Sequence, residues 1–144
     1  MTGVQTCALP ISLVLSHKLK HLDAWTQERR AIASRYTTEL AGLPLDCPRI
    51  VNGDHVWHLY VVQSEQRDEL KKFLDARGVE TGLHYPVPLH QQPALASYGF
   101  SLSGYPESDR VSSRCLSLPV FPGMTETETG RVIDAVRAFY AKKS

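Results

Sequence analysis

The chain has 144 residues and a mass of 16.1 kDa, the size of one ordinary domain. Sixteen Lys and Arg against fifteen Asp and Glu leave a net charge of +1, which excludes the basic footprint of a nucleic-acid or anionic-membrane binder. No apolar run approaches the roughly 20 residues of a membrane span. The three cysteines (Cys7, Cys47, Cys115) form no Cys-x-x-Cys pair, so free thiols in a reducing compartment, the cytoplasm, are expected.

Met1–Ser12 has no basic n-region and no long apolar h-region, so it is a poor signal peptide. It also lacks helical periodicity, and Pro10 is expected to interrupt any helix there. It resembles translated sequencing-adapter read-through. It is set apart as a leader, residues 1–12, from a domain at 13–144.

From Leu13 the pattern changes. Leu15, Leu19, Leu22, Trp25, Ile32, Tyr36 and Leu40 recur at mostly three- and four-residue intervals, one face of a helix over Leu13–Ala41. Such a helix is roughly 43 Å long at about 1.5 Å per residue, more than a small domain spans. Gly42 and Pro44 then stop it. Leu45–Asp54 reads as a loop. Val56–Val62, rich in β-branched and aromatic residues, reads as an interior strand apolar on both faces. Ser64 caps a helix to about Arg77, with acids early and bases late as the helix dipole prefers, and Gly78 ends it.

Val79–Tyr85 is expected to form a second strand, halted by Pro86 and Pro88. Leu89–Gly104 is loop, with a helical turn after Pro93. Pro106 opens a short helix to about Cys115. Leu116–Val120 is a third short strand. Thr125-x-x-Glu128 is a capping box that opens a last helix, whose buried face is Val132, Ile133, Val136, Phe139 and Tyr140. The expected fold is α+β: a long N-terminal helix, then a small three-stranded sheet covered by helices.

Six histidines raise the question of a metal site. His55 and His58 are three apart, so on a strand they point to opposite faces and converge poorly. No local Asp, Glu or Cys completes a set, and His55 is read as pairing with backbone or filling a polar corner. His84 differs. It lies at the end of a strand, on the same face as Gly82, and directly before Tyr85-Pro86. Prolines 86, 88 and 93 stiffen the loop beyond, so His84, Tyr85 and His90 can present imidazole and phenol donors to a polar ligand. The residues alone leave this open against a loop whose side chains satisfy one another. There is no GxGxxG, no GxxxxGK[ST] and no GxSxG. Cys115 is read as a small packed apolar group, and Arg29-Arg30 as a solvated helix face.

Four segments carry a resemblance: KLKHLDAWTQERRAIASRY (Lys18–Tyr36), HVWHLYVV (His55–Val62), RDEL with LDARGVETGLHYPVPLHQQPAL (Arg67–Leu95), and LSLPVFPGMTETE (Leu116–Glu128). Together they closely resemble the C-terminal part of the DegT/StrS sugar aminotransferases, which are fold-type-I, pyridoxal-phosphate-dependent enzymes. The resemblance implies the small domain of a homodimeric transaminase. Such an enzyme moves an amino group from an amino acid, usually glutamate, to a nucleotide-linked keto sugar. It implies that His84 and Tyr85 face the cofactor–sugar adduct, that His90 stands near the substrate mouth, and that His58 is a further substrate-binding candidate. It also implies that the Schiff-base lysine and the rest of the pyridoxal phosphate site lie outside this chain, so no catalytic or cofactor-binding residue is expected here and the chain alone is expected to be inactive. The alternative is a free-standing α+β module that binds a sugar nucleotide without catalysis.

Overall fold

The computed structural model describes residues 5–99 and 104–141. The start of the leader, residues 1–4, the loop residues 100–103, and Lys142, Lys143 and Ser144 of the tail lie outside them.

The last helix shows local chemistry setting an element. The Thr125 amide donates to Glu128 Oε2 at 2.8 Å, and the Glu128 amide donates to Thr125 Oγ1 at 3.2 Å, a reciprocal capping box. Helix α5 (Glu126–Ala141) then buries Val132, Ile133, Val136, Phe139 and Tyr140, as its periodicity predicts, together with Thr129 and Ala135. Two strands, β1 (Tyr60–Gln63) and β2 (Cys115–Leu118), pair antiparallel, with Tyr60 opposite Leu118 and Gln63 opposite Cys115. All four residues of β2 are buried.

Around this ladder pack α2 (Leu22–Glu39), α3 (Arg67–Asp75) and α5, while α4 (Pro106–Arg114) leads directly into β2. Pro106 occupies the first turn of α4, where its missing amide removes no ladder bond. After α3 the Gly78 amide donates to Asp75 O and the Val79 amide to Leu74 O, the two bonds of a Schellman motif, with Gly78 at φ +68°. The core joins Ile32, Tyr36 and Leu40 to Tyr60, Val62, Leu70, Leu74, Leu116 and the α5 face.

Three buried tyrosines find partners for their hydroxyls. Tyr36 donates to Pro119 O at 2.8 Å, Tyr60 pairs with Thr37 Oγ1 at 2.9 Å, and Tyr140 pairs with Ser64 Oγ at 2.7 Å. Burial pushes all three phenols above their ordinary range, so they stay neutral and hydrogen-bonding.

The structure corrects four expectations. The single helix Leu13–Ala41 is two helices, α1 (Gln5–Leu19) and α2. Between them the Lys20 and His21 amides turn to His17 O and Lys18 O, i→i−3 bonds at 3.3 and 3.0 Å. Leu13, Leu15, Leu19 and Leu22 remain 46–72% exposed, so no packed surface holds a continuous ladder through this stretch. Nor does Pro10 interrupt a helix. It lies within α1, where it removes one interior bond and the helix continues.

The interior strand Val56–Val62 shortens to Tyr60–Gln63. Trp57 adopts φ +51°, its amide donates to His55 Nδ1 at 2.9 Å, and the chain turns before it can extend. Its indole sinks into the core against Tyr60, while Val56 stays exposed, so the strand does not bury both faces.

The three-stranded sheet is a two-stranded one. Val79–Tyr85 contributes a single bridge, Gly82 to Ser117. That register sets Glu80 against Pro119, which has no amide, and sets Tyr85 against the last residue of α4. The ladder is bounded at both ends.

Thr125→Ala removes the cap hydroxyl and is expected to lower stability by about 1 kcal/mol in urea unfolding. The Glu128 carboxylate accepts the Thr125 amide and then its hydroxyl, which holds it below the usual carboxylate range. The box therefore contributes in full above the ordinary glutamate range and loses that contribution as pH falls through the lowered value. The effect of Thr125→Ala should be larger at about pH 7 than at about pH 3. Tyr36→Phe keeps the ring but orphans Pro119 O, and should lower stability by about 1 kcal/mol in the same measurement.

Candidate functional site

The site begins at the single bridge. The Gly82 amide donates to Ser117 O at 3.1 Å, and the Ser117 amide donates to Gly82 O at 2.8 Å. Two residues on, His84 turns its ring back across Gly82 and brings Nδ1 to 2.9 Å from Ser117 Oγ. The room for this comes from the missing side chain: a Cβ on Gly82 would lie 2.5 Å from His84 Cε1. Ser117 is 4% exposed, while His84 reaches the surface.

The His84–Tyr85 peptide is cis, and the two rings meet edge to face at 5.6 Å. Tyr85 is 73% exposed. With Val87, Pro88 and Leu89 it lines one wall of a cavity of about 420 Å³, and Glu107, Ser108 and Val111 of α4 line the other. His84 and Tyr85 are thus brought together at one edge of the fold, imidazole over a buried hydroxyl and phenol over a cleft.

His90 is placed differently. It sits on the 3₁₀ turn Leu89–Gln91, with Nε2 at 3.0 Å from Asp109 Oδ1 and its ring 4.7 Å from that of Tyr105. Gln91 Nε2 donates to the same carboxylate oxygen at 2.7 Å. The His90 side chain is only 10% exposed, so its ring ties the loop to α4. His58 is exposed at the edge of a separate cleft of about 740 Å³, facing Leu22, Thr26 and Arg30 of α2. That cleft shares no lining residue with the Tyr85 cavity.

His55 pairs with backbone, one of the two roles expected of it: Nδ1 takes the Trp57 amide, and its carbonyl accepts from Arg30 Nε at 3.1 Å. Arg30 also pairs with Asp54 at 3.4 Å, and Arg29 donates to Trp25 O. Both arginines are half-buried, where a solvated face was expected. Cys115 is buried, with Sγ directed at the Ser112 and Tyr85 carbonyls. Burial pushes the half-buried Cys47 thiol above its ordinary range. Among the described residues no three His, Cys, Asp or Glu gather as metal ligands.

A larger concavity, about 1170 Å³, opens between the end of α3 and α5, away from His84. Its cations are already engaged: Arg131 donates to Arg77 O, and Arg35 to Glu39 and to Glu126 O. The exposed His84–Tyr85 edge carries more unspent chemistry.

The described lysines lie on or beside α1 and α3. Lys18 and Lys20 lie on the exposed end of α1 and its junction, and Lys71 pairs with Asp75 at 2.8 Å on α3 beside Lys72. Among the described residues, no lysine lines any of the cavities above. Sequence reasoning missed Ser117 and the Asp109 carboxylate. A lone serine inside the apolar run Leu116–Val120 was the available signal for the first. Nothing local pointed to the second, which acts from a helix 18 residues beyond Gln91.

The profile of the DegT/DnrJ/EryC1/StrS aminotransferase family matches residues 11–137. The dTDP-3-amino-3,4,6-trideoxy-alpha-D-glucose transaminase of Streptomyces venezuelae is 44% identical over 126 residues, 86% of this chain and 33% of its own length. The pleiotropic regulatory protein of Geobacillus stearothermophilus is 40% identical over 131 residues, covering 88% of this chain and 35% of that protein. The crystal structure of S. venezuelae DesV in complex with a ketimine intermediate is similar at a TM-score of 0.85 and 43% identity, over 88% of this chain and 35% of that one. The chain spans about a third of the length of the curated relatives it matches. Both halves of the His84 site, the strand end and the Ser117 strand beneath it, fall inside the matched segment, and the chain belongs to the DegT/DnrJ/EryC1/StrS aminotransferase family.

Proposed function

We propose that residues 13–144 are the C-terminal small domain of a sugar aminotransferase. The whole enzyme would move an amino group from an amino acid, glutamate by family resemblance, to a nucleotide-linked keto sugar. It would work as a homodimer in the cytoplasm. Pyridoxal phosphate would be held by parts of the protein outside this chain, and its chemistry would be supplied there. The observation that carries this reading is the exposed His84–Tyr85 edge, built on Gly82 and Ser117 within the family match.

In this reading the chain orients substrate. His84 and Tyr85 offer two adjacent hydrogen-bonding groups to the oxygen-rich sugar, beside the cleft against α4. His90 serves by holding that cleft's loop to Asp109, and His58 would act from its separate cleft beside α2. A free-standing binding module is the weaker reading, because it leaves the apolar residues Leu13, Leu15, Leu19 and Leu22 uncovered.

Two measurements test the proposal. The 144-residue chain, mixed with pyridoxal phosphate, glutamate and a nucleotide-linked keto sugar, is expected to give no amino sugar; turnover would overturn the small-domain reading. In a full-length enzyme carrying this segment, His84→Ala should lower kcat/KM for the sugar about tenfold, near the value of one hydrogen bond, and leave cofactor binding intact. Unchanged sugar kinetics would remove His84 from the site.

A further inference from the structure

We propose that Ser117 is a positioning residue that sets the tautomer of His84: its hydroxyl donates to Nδ1, the ring proton stays on Nε2, and the exposed edge of the imidazole becomes a hydrogen-bond donor. The consequence for a ligand rests on the reading that His84 faces the sugar. The group His84 meets would be an acceptor oxygen, and Nε2 would not act as a base.

The argument starts from a buried hydroxyl. Ser117 is one of four consecutive buried residues in β2, and its backbone amide and carbonyl are both used by Gly82. Its Oγ has one partner among the described residues, His84 Nδ1 at 2.9 Å. A hydroxyl has one proton and two lone pairs. A buried donor left without an acceptor is the rarer and more expensive vacancy, whereas an oxygen readily leaves a lone pair unused. The proton therefore goes to the only acceptor in reach among the described residues, and Nδ1 must present its lone pair to receive it. In a neutral imidazole that puts the ring hydrogen on Nε2.

Gly82 completes the device. The ring lies so close over its Cα that a methyl there would sit 2.5 Å from Cε1 and 3.1 Å from Nδ1. The ring has the hydroxyl at Nδ1 and bare backbone beside Cε1. His90 offers a contrast within the same loop. Its Nε2 faces the Asp109 carboxylate, so that ring spends its outer nitrogen within the protein. Among the described residues Nε2 of His84 has no such partner, and the Tyr85 ring meets the imidazole edge to face with centroids 5.6 Å apart.

The test is two-bond ¹H–¹⁵N correlation spectroscopy on the 144-residue chain with ¹⁵N-labelled histidine, at about pH 8.5, above the ordinary imidazole range. His84 is expected to show a pyridine-like Nδ1 and a pyrrole-like Nε2. In Ser117→Ala the Nδ1 resonance should shift toward the averaged position of histidine in an unfolded peptide, and Ser117→Thr, which keeps the hydroxyl, should restore it. Gly82→Ala, which displaces the ring and keeps Ser117, should give the same loss as Ser117→Ala. A native His84 protonated on Nδ1, or a spectrum that Ser117→Ala and Gly82→Ala both leave unchanged, would overturn the proposal. A purely structural serine would lower the melting temperature and leave the tautomer alone, which also overturns it. Sugar kinetics of Ser117→Ala in the full-length enzyme are a separate readout. If the tautomer shifts and those kinetics do not, the positioning role stands and the substrate role of His84 falls.

Discussion

Eight residues in two short strands hold the molecule together. Tyr60–Gln63 and Cys115–Leu118 are more than fifty positions apart in the chain, and their pairing closes a long loop. So short a ladder has little stability of its own. It persists because its side chains are also the floor on which α2, α3 and α5 pack: Tyr60 and Val62 from one strand, Leu116 and Leu118 from the other. Each outer edge then carries one further rung, Asp46 on β1 and Gly82 on β2. Those two rungs draw in the segments that flank the sheet, and one of them carries the candidate site.

Elements with short-range signals were legible in the sequence. The capping box, the apolar face of α5, the proline that opens α4 and the glycine that closes α3 all act within a few residues, and each appears where its chemistry places it. The missed features depend on distant partners. Trp57 takes a left-handed backbone because His55 supplies an acceptor and Tyr60 a ring to pack on, and no periodicity encodes that combination. The break at Lys20–His21 follows from missing neighbours, although the leucine spacing runs straight through it. The length of the third strand was set by Pro119, a residue on its partner.

The candidate site divides along the same line. His84, Tyr85 and Gly82 were legible as a strand end running into a stiff loop, because all three lie within four residues. Ser117 was not, since a serine in an apolar strand gains meaning only once the register is known. His90 was grouped with them by proximity in sequence, yet a carboxylate from α4 had the stronger claim on its ring. His58 fell on the far side of the turn that Trp57 makes, beside α2.

The Gly82–Ser117 rung makes strand alignment and site chemistry one decision. Side chains on β2 alternate in direction, so moving the strand by a single residue would turn Ser117 away and place Leu116 or Leu118 beneath the imidazole. The ring would then meet a hydrocarbon, and the hydroxyl would be stranded among the aliphatic side chains below. The greasy neighbours on either side of Ser117 thus act as an alignment key. Insertions or deletions within these four residues are closed to this fold as a route to new ligand preferences, which leaves exchange of the side chains around a fixed frame.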